Sequence, residues 1–405
     1  MALKKLLNKG TVYKRSDNRW GGMVSYHDEQ GVYRRKSFCA PTKKAVLKKI
    51  GDYIEFFKME IAEADETKKP LRKSMQKWLE VFQYGTVERA TYDRKEDCAK
   101  HYIYPRIGDM IISEITSADL NGILTQMMNE GYSHSTVKHV YSLFKEYFRY
   151  LCYEEHIPKN PMAYVRMIKK ANFLAAQGRE IIARSDAVTV LNDEEIRRLR
   201  EAVFTRNRKG ALKHQQAAAY LLMLNTGLRT GEVLGLLNSD IDLDKRELSV
   251  TRAVKEVGKR DKDGAACGTE LIVGGMKTAA SKRTIPLNST AIEMILILRT
   301  ERYFGADSPL ISNQVGDFTR PSTFRSRWYT LLDFAGISHK GLHNLRHTFA
   351  TRLINGVEDE NGNLKTLTVR QVADLLGHTT SSVTEKYYVR REPNKLCGIT
   401  DEFEL

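Results

Sequence analysis

Over the first sixty residues, short apolar–polar alternations mark three strands at 11–15, 20–26 and 32–38, separated by turns at Ser16-Asp-Asn-Arg and 27–31. The period changes at Thr42, a residue suited to cap a helix starting at Lys43. Val46, Leu47, Ile50, Ile54 and Phe57 then recur at helical spacing. The expectation is a small three-stranded sheet backed by one helix, with its alternation turning Lys14, Arg34 and Lys36 outward. Residues 60–72 are charged, contain Pro70 and lose the apolar period, so they read as a linker. From Lys73 the pattern is helical. Trp78, Leu79 and Phe82 form one stripe, and 92–104 carry another that Pro105 stops. Leu120, Ile123, Leu124 and Met127 follow a cap at Thr116, and 135–153 form a further helix. Phe144, Tyr147, Phe148 and Tyr150 read as the core of this all-α domain rather than as base-stacking surface. Residues 164–185 read as a second linker. The third domain opens with a capping box at Asn192 and Glu195, followed by an apolar helix at 217–224 and strands at 248–254, 271–273 and 284–287. The fold class expected is therefore multidomain α+β: a sheet-plus-helix domain (1–62), an all-α domain (73–163), a mainly α domain with a small sheet and hairpin (186–392), and a tail (393–405).

Charge adds a partner to this layout. Of the 405 residues, 65 are Lys or Arg and 50 are Asp or Glu, a formal net charge of +15. Such an excess points to a polyanion. It is uneven: residues 1–60 hold fourteen Lys/Arg against six acids, and 164–185 hold five against one. A basic segment without pattern reads as a solvated arm. The strand and turn signals favour double-stranded DNA instead, because a ribbon of strands fits a major groove. Lys14, Arg34 and Lys36 on the sheet, with Lys169 and Lys170 in the basic stretch, are the candidate DNA contacts. The five cysteines are scattered and never in CxxC spacing, which fits reduced thiols in a cytosol and argues against a disulfide framework or a zinc ribbon. No apolar run approaches the ~20 residues of a membrane span, and no apolar segment follows the basic start as a secretory signal requires. No membrane partner is expected.

Candidate chemistry lies in four clusters of the third domain. In Leu224-Asn-Thr-Gly-Leu-Arg-Thr-Gly-Glu-Val-Leu, an apolar helix breaks at Thr226-Gly227 and Arg229 follows; alone, Arg229 reads as a surface arginine in a helix joint. In Met276-Lys-Thr-Ala-Ala-Ser-Lys-Arg-Thr-Ile-Pro-Leu, Lys277 lies near a hairpin turn, where a lone lysine is usually a solubilising charge. In Gly341-Leu-His-Asn-Leu-Arg-His-Thr-Phe-Ala-Thr, His343 and Arg346 share a helix face. His343 and His347 are four apart, but no Glu-x-x-His partner or cysteine ligand accompanies them, so no metal is expected. In Leu375-Leu-Gly-His-Thr-Thr-Ser-Ser-Val-Thr-Glu-Lys-Tyr-Tyr, one helix ends at Gly377 and another begins near Ser381.

Taken in order, these clusters resemble the tyrosine recombinase (phage-integrase) family. Its set is an arginine after Thr-Gly-Leu, a β-hairpin lysine, His-x-x-Arg, a Leu-Gly-His histidine and a tyrosine nine residues later. Here these are Arg229, Lys277, His343, Arg346, His378 and Tyr387, and Glu232 matches a carboxylate that the family uses to orient the site. The three-part layout looks most like the integrases of conjugative transposons and of phage lambda. The resemblance implies a site-specific DNA recombinase without cofactor. It also implies a homotetramer on core and arm-type attachment sites, an excisionase and a host DNA-bending protein as partners, and a tail that docks on a neighbouring protomer. The chemistry is coherent. Two guanidinium groups, Arg229 and Arg346, clamp the non-bridging oxygens of a phosphate under attack. Tyr387, a phenol with an ordinary pKa of ~10, needs a base, for which His343 is placed ahead of His378. His378 fits a hydrogen bond to the phosphate, and Lys277 protonates the leaving 5′-hydroxyl. Adjacent helical residues point ~100° apart, so only one of Tyr387 and Tyr388 can meet the phosphate, and the nine-residue offset selects Tyr387. Residues 357–366 are expected as a loop or short hairpin, and 261–269 enlarge the hairpin before Lys277. The rival readings are a type IB topoisomerase, which rejoins the original strand, and a non-catalytic DNA-binding regulator on the same scaffold.

Overall fold

The structure, a computed structural model, describes residues 5–28, 32–179, 189–261, 266–275, 282–358, 364–378, 380, 382 and 384–385. Contacts divide the chain into two compact units, Met1–Ile181 and Ile182–Leu405.

The first unit opens with strands β1 (Lys5–Leu6), β2 (Thr11–Lys14), β3 (Trp20–His27) and β4 (Tyr33–Ala40). All pairings are antiparallel: β1 and β2 lie along one edge of β3, and β4 along the other. The three expected strands are present; β1 is too short to show alternation. Helix α1 (Lys43–Ala64) starts where expected, and Thr42 Oγ1 accepts from the Ala45 N–H at 3.2 Å. It buries Val46, Ile50 and Phe57, whereas Leu47 faces solvent, 51% exposed. Lys58 to Ala64 are mostly good helix formers, so α1 runs into the expected linker, which shrinks to a short turn capped by Asp65.

Strand register corrects the expected face of the sheet cations. Directly paired residues share a face. Lys36 pairs with Val24, Arg34 with Tyr26 and Lys14 with Trp20. Val24 is fully buried, and a Cβ on its neighbour in that row, Gly22, would lie 2.7 Å from Val46 of α1. Lys14, Arg34 and Lys36 are therefore exposed at the rim of the helix-covered face. The face turned away from α1 carries Thr11, Tyr13, Met23, Arg35 and Ser37. On it the Tyr13 ring covers Gly21, and Arg35 lies over Tyr33 with its Nε donating to the phenol oxygen at 2.8 Å. Phase was hard to read because the Gly21-Gly22 pair interrupts the alternation of β3. A single helix is also narrower than the sheet it covers.

The rest of this unit is helical: α2 (Leu71–Trp78), α3 (Arg89–Cys98), α4 (Tyr104–Ile107), α5 (Ser117–Asn129), α6 (His134–Tyr153) and α7 (Lys170–Ala176). It has its own core, in which Phe144, Tyr147 and Phe148 are fully buried and Tyr150 packs at the edge. Thr116 and Asp119 form the reciprocal cap of α5. Pro105 begins α4 rather than ending its predecessor. The π-helical turn at Ala99–Ile103 runs directly into α4, and the helical run continues through Pro105. Val165 and Phe173 are buried in the same core, so 164–177 belong to the helical domain rather than to a linker. Lys169 and Lys170 are exposed at the N-terminus of α7.

The second unit contains α8 (Asp193–Phe204), α9 (Ala218–Thr226), α10 (Thr230–Gly235), β5 (Ile241–Asp242), β6 (Glu247–Val250), β7 (Arg252–Arg260), β8 (Ala266–Gly275), β9 (Arg283–Pro286), α11 (Ser289–Glu301), α12 (Pro321–Phe334), α13 (His343–Asn355), β10 (Val357–Glu358), β11 (Leu364–Lys365) and α14 (Val369–Leu376). The helix α9 is buried from Ala218 to Leu224 and sits at the centre of the core. The strand expected at 248–254 is two strands, because the chain changes partners at Thr251. β6 lies between β5 and β9, while β7 and β8 form a separate hairpin. At the two ends of 357–366, β10 pairs antiparallel with β11, as in the short hairpin expected there; residues 359–363 lie outside the described residues. Among the described residues no helix is long and apolar enough to cross a membrane.

Candidate active site

The site is built on the turn between α9 and α10. Gly227 ends α9 in the left-handed conformation, φ 65°, and a Cβ there would stand 2.5 Å from the Phe349 ring and 2.9 Å from Leu376. Only glycine lets α13 and α14 close over this turn. Gly377, φ 66°, ends α14 in the same way and directs the chain into His378. The helix α13 is tied to the opening of the domain through Thr348, whose Oγ1 accepts from the Leu191 N–H at 2.9 Å.

Arg346, on α13, is 1% exposed. Its Nη1 donates to the Gly227 carbonyl at 2.8 Å and its Nη2 to the Leu376 carbonyl at 2.7 Å. Nη2 also lies 3.0 Å from His378 Nε2. One guanidinium therefore joins the Thr-Gly-Leu-Arg turn to the Leu-Gly-His turn. Arg229 stands at the mouth of the site, with 37% of its side chain exposed. Its Nη1 donates to Glu232 Oε1 at 2.6 Å and its backbone N–H to Oε2 at 2.9 Å. Its Nε and Nη2 make no hydrogen bond among the described residues.

Glu232 is 1% exposed. Burial alone would raise its pKa; the hydrogen bonds and charge of Arg283, followed by those of Arg229, overcome burial and hold it down at about 2. Arg283 Nη2 donates to Glu232 Oε2 at 2.9 Å, and its Nε donates to the Leu375 carbonyl at 2.7 Å. Arg283 is absent from the residues singled out by sequence. Its signal lies in the strand Arg-Thr-Ile-Pro: Ile285 is buried, and Arg283, two residues earlier, shares its face. A cation on a buried face requires a partner.

The histidines are held neutral. Burial lowers the pKa of His343, aided by the charges of Arg346 and Arg229. Burial and the same two arginines bring His378 to about 4. Burial and His343 bring His347 to about 4 as well, and its ring meets that of His343 edge-on at 4.5 Å. A neutral His343 is competent as a base. For His378 the contacts specify the tautomer. Arg346 can only donate, so Nε2 accepts; Nδ1 carries the proton and donates to Thr384 Oγ1 at 2.9 Å. In this arrangement Nε2 faces Arg346 and Nδ1 faces Thr384. Thr384, fully buried, is a second residue that sequence reading passed over.

The structure thus brings Arg229, Glu232, His343, Arg346 and His378 together. Lys277, Tyr387 and the 393–405 tail lie outside the described residues. Lys14, Arg34 and Lys36 belong to the sheet, and Lys169 and Lys170 to the helical domain. Among the described residues no three His, Cys, Asp or Glu side chains gather as metal ligands.

Comparison with known proteins gives this arrangement its family. The sequence profile of the phage integrase family matches residues 189–395, just over half of the chain, and that of the phage integrase N-terminal SAM-like domain matches 71–128. A XerC-like tyrosine recombinase of Caldanaerobacter subterraneus subsp. tengcongensis is 29% identical over 381 residues, covering 91% of each chain. The integrase of Mycobacterium phage L5 is 26% identical, over 80% of this chain and 76% of its own. Among solved structures, the Tn1549 transposon integrase in complex with a circular intermediate DNA shares the fold at 18% identity and a TM-score of 0.62, covering 83% of this chain and 100% of that one. A lambda integrase dimer bound to a core site does so at 18% identity and a TM-score of 0.54, over 94% of this chain and 95% of that one. The chain belongs to the phage integrase family: it is a tyrosine recombinase, a site-specific DNA recombinase.

Proposed function

We propose that the chain integrates and excises a mobile element, such as a conjugative transposon or a phage, through a 3′-phosphotyrosine intermediate and a Holliday junction. The observation that carries the reading is the gathering of Arg229, Arg346, His343 and His378 around the turn at Gly227, with Glu232 fixing Arg229 at the mouth of the site. Tyr387 Oη attacks the scissile phosphorus as His343 takes the phenolic proton. The bond from phosphorus to the 5′-oxygen breaks, and Lys277 gives that oxygen a proton. Arg229 carries the growing charge on the non-bridging oxygens from the open side, while Arg346 acts from the floor. A 5′-hydroxyl of a second duplex then attacks the phosphotyrosyl ester. One ester is exchanged for another, so bond energy is conserved without ATP. Two such rounds, in a tetramer on two duplexes, exchange all strands.

A division into a sheet domain (1–62), a helical domain (73–163, extended by 164–177) and a third domain (186–392) fits this task. The sheet domain takes accessory, arm-type DNA; the helical domain and the third domain take the core site. Two structural relatives support DNA as partner and a tetramer as assembly: the Tn1549 integrase is bound to a circular intermediate DNA, and a lambda integrase tetramer to a Holliday junction.

A nicked duplex carrying an attachment site in its native sequence tests the chemistry. Wild type and Tyr388→Phe form an adduct that survives SDS, and Tyr387→Phe forms none. Equal adduct from Tyr387→Phe removes Tyr387 as nucleophile. Strand exchange between two duplexes, rather than relaxation of one, separates recombinase from topoisomerase.

A further inference from the structure

Arg283 sits where three elements of the site meet, and neither the six-residue set nor Glu232 accounts for it. As the first residue of β9, it is fixed by the pairing of Val250 with Arg283 and of Leu248 with Ile285. Only 7% of its side chain is exposed. Its guanidinium reaches across to α10, where Nη2 is 2.9 Å from Glu232 Oε2 and Nη1 is 3.3 Å from Oε1. Its Nε reaches α14 at the Leu375 carbonyl, 2.7 Å away. The next carbonyl, that of Leu376, accepts from Arg346, and His378 follows two residues later. The stretch that carries Lys277 leads in sequence into the same strand.

We propose that Arg283 is a positioning residue for the recombination reaction: it neutralises and orients Glu232, so that the charge of Arg229 remains available to the DNA phosphate. The argument is one of charge balance. Glu232 Oε1 is shared between Arg229 Nη1 at 2.6 Å and Arg283 Nη1 at 3.3 Å. Two guanidinium groups face one carboxylate, which leaves one net positive charge. Arg283 is enclosed, whereas Arg229 has 37% of its side chain exposed, so the surplus is presented on Arg229. Without Arg283 the carboxylate has Arg229 as its remaining arginine, and their charges cancel just where a phosphate must bind. The same loss frees the Leu375 carbonyl and loosens the end of α14 that sets His378. Arg283 touches no reacting atom; it acts through Glu232 and through α14.

This inference rests on the recombinase reading, and a double-mutant cycle on single-turnover cleavage of the nicked duplex separates the two. Arg283→Gln slows adduct formation about 30-fold, in the range that loss of an outer partner costs at metal sites, while DNA affinity is unchanged. Arg283→Lys keeps the charge but not the fork and recovers part of the rate. In the Glu232→Gln background, Arg283→Gln costs clearly less than it does in wild type, because the carboxylate it neutralises is gone and only its bond to the Leu375 carbonyl remains to be lost. If the two losses multiply instead, or if Arg283→Gln cleaves at the wild-type rate, the proposal is overturned. Should Arg283→Gln not fold, the cycle is run with Arg283→Lys, judged by the same coupling. Failure of wild type to form any adduct would sink the recombination chemistry itself, whatever Arg283 does.

Discussion

Lys36 on the sheet and Arg346 in the active site carry the same charge on opposite terms. Lys36 is exposed on β4, at the rim of the helix-covered face. Arg346 is 1% exposed and gives its guanidinium to two backbone carbonyls and a histidine. A solvated lysine contributes to a diffuse field that any polyanion feels. A buried arginine cannot be solvated, so the fold must complete its hydrogen bonds, and in doing so it fixes the geometry of everything attached. The overall +15 therefore combines two kinds of charge. One concentrates the partner; the other aligns a reaction.

The largest test of that contrast is to remove each cation in turn. Arg346→Ala orphans the carbonyls of Gly227 and Leu376 and releases His378. It is expected to lose about 3 kcal/mol of stability and at least about 100-fold in cleavage rate. Lys36→Ala should stay within about 0.5 kcal/mol of wild type in stability. Urea unfolding and single-turnover cleavage measure both; equal losses at the two positions would erase the distinction.

Acid provides a smaller and sharper test, because the buried network is held by one carboxylate. The pKa of Glu232 is lowered from an ordinary 4.5 to about 2, so its contribution is complete above about pH 4.5 and is lost as pH falls toward 2. Its size, by linkage, is about 3 kcal/mol. The histidines act in a separate window. Those at 347 and 378 are lowered from 6.5 to about 4; the unfolded chain therefore takes up their protons first, and stability falls as pH drops from 6.5 to 4. Unfolding free energies of wild type and Glu232→Gln followed through both windows should converge only in the lower one. Convergence already near neutrality would mean that Glu232 is not the carboxylate holding Arg229 and Arg283.

The sequence made much of this site legible for a physical reason. Thr226-Gly227, His343, Arg346 and Gly377-His378 stand at helix ends and in turns, where residue type and local geometry are tightly linked. Arg229 was readable because a helix must break before it. Arg283 was not, because its role depends on sheet register and on α14, more than 90 residues further along the chain by its bond to Leu375. Thr384 was missed because a threonine in a polar run has no periodicity to mark it. The extent of α1 and of α7 was underread for the opposite reason: charged residues suggested a linker where helix propensity and one buried side chain, Phe173, were decisive. Secondary structure followed from local pattern; the wiring between elements required the folded chain.

The smallest expected effect concerns the sheet, where sequence found the strands but assigned the wrong face. Arg35 shares the face of Tyr13, Ser37 and Met23, turned away from α1, whereas Lys36 shares the face of Val24 beneath that helix. A ribbon entering a major groove must present a face not already covered by protein. Arg35 is also held by its stacking on Tyr33, so it loses less freedom on binding than a lysine at the rim. Arg35→Ala in the full-length chain should weaken binding to arm-type DNA more than Lys36→Ala does. If Arg35 meets a phosphate, the salt dependence of binding should fall by about one unit of slope; if it reads a base, affinity should fall with the slope unchanged. A larger loss from Lys36→Ala would place the DNA against the rim beside α1, and the open face would then need another partner.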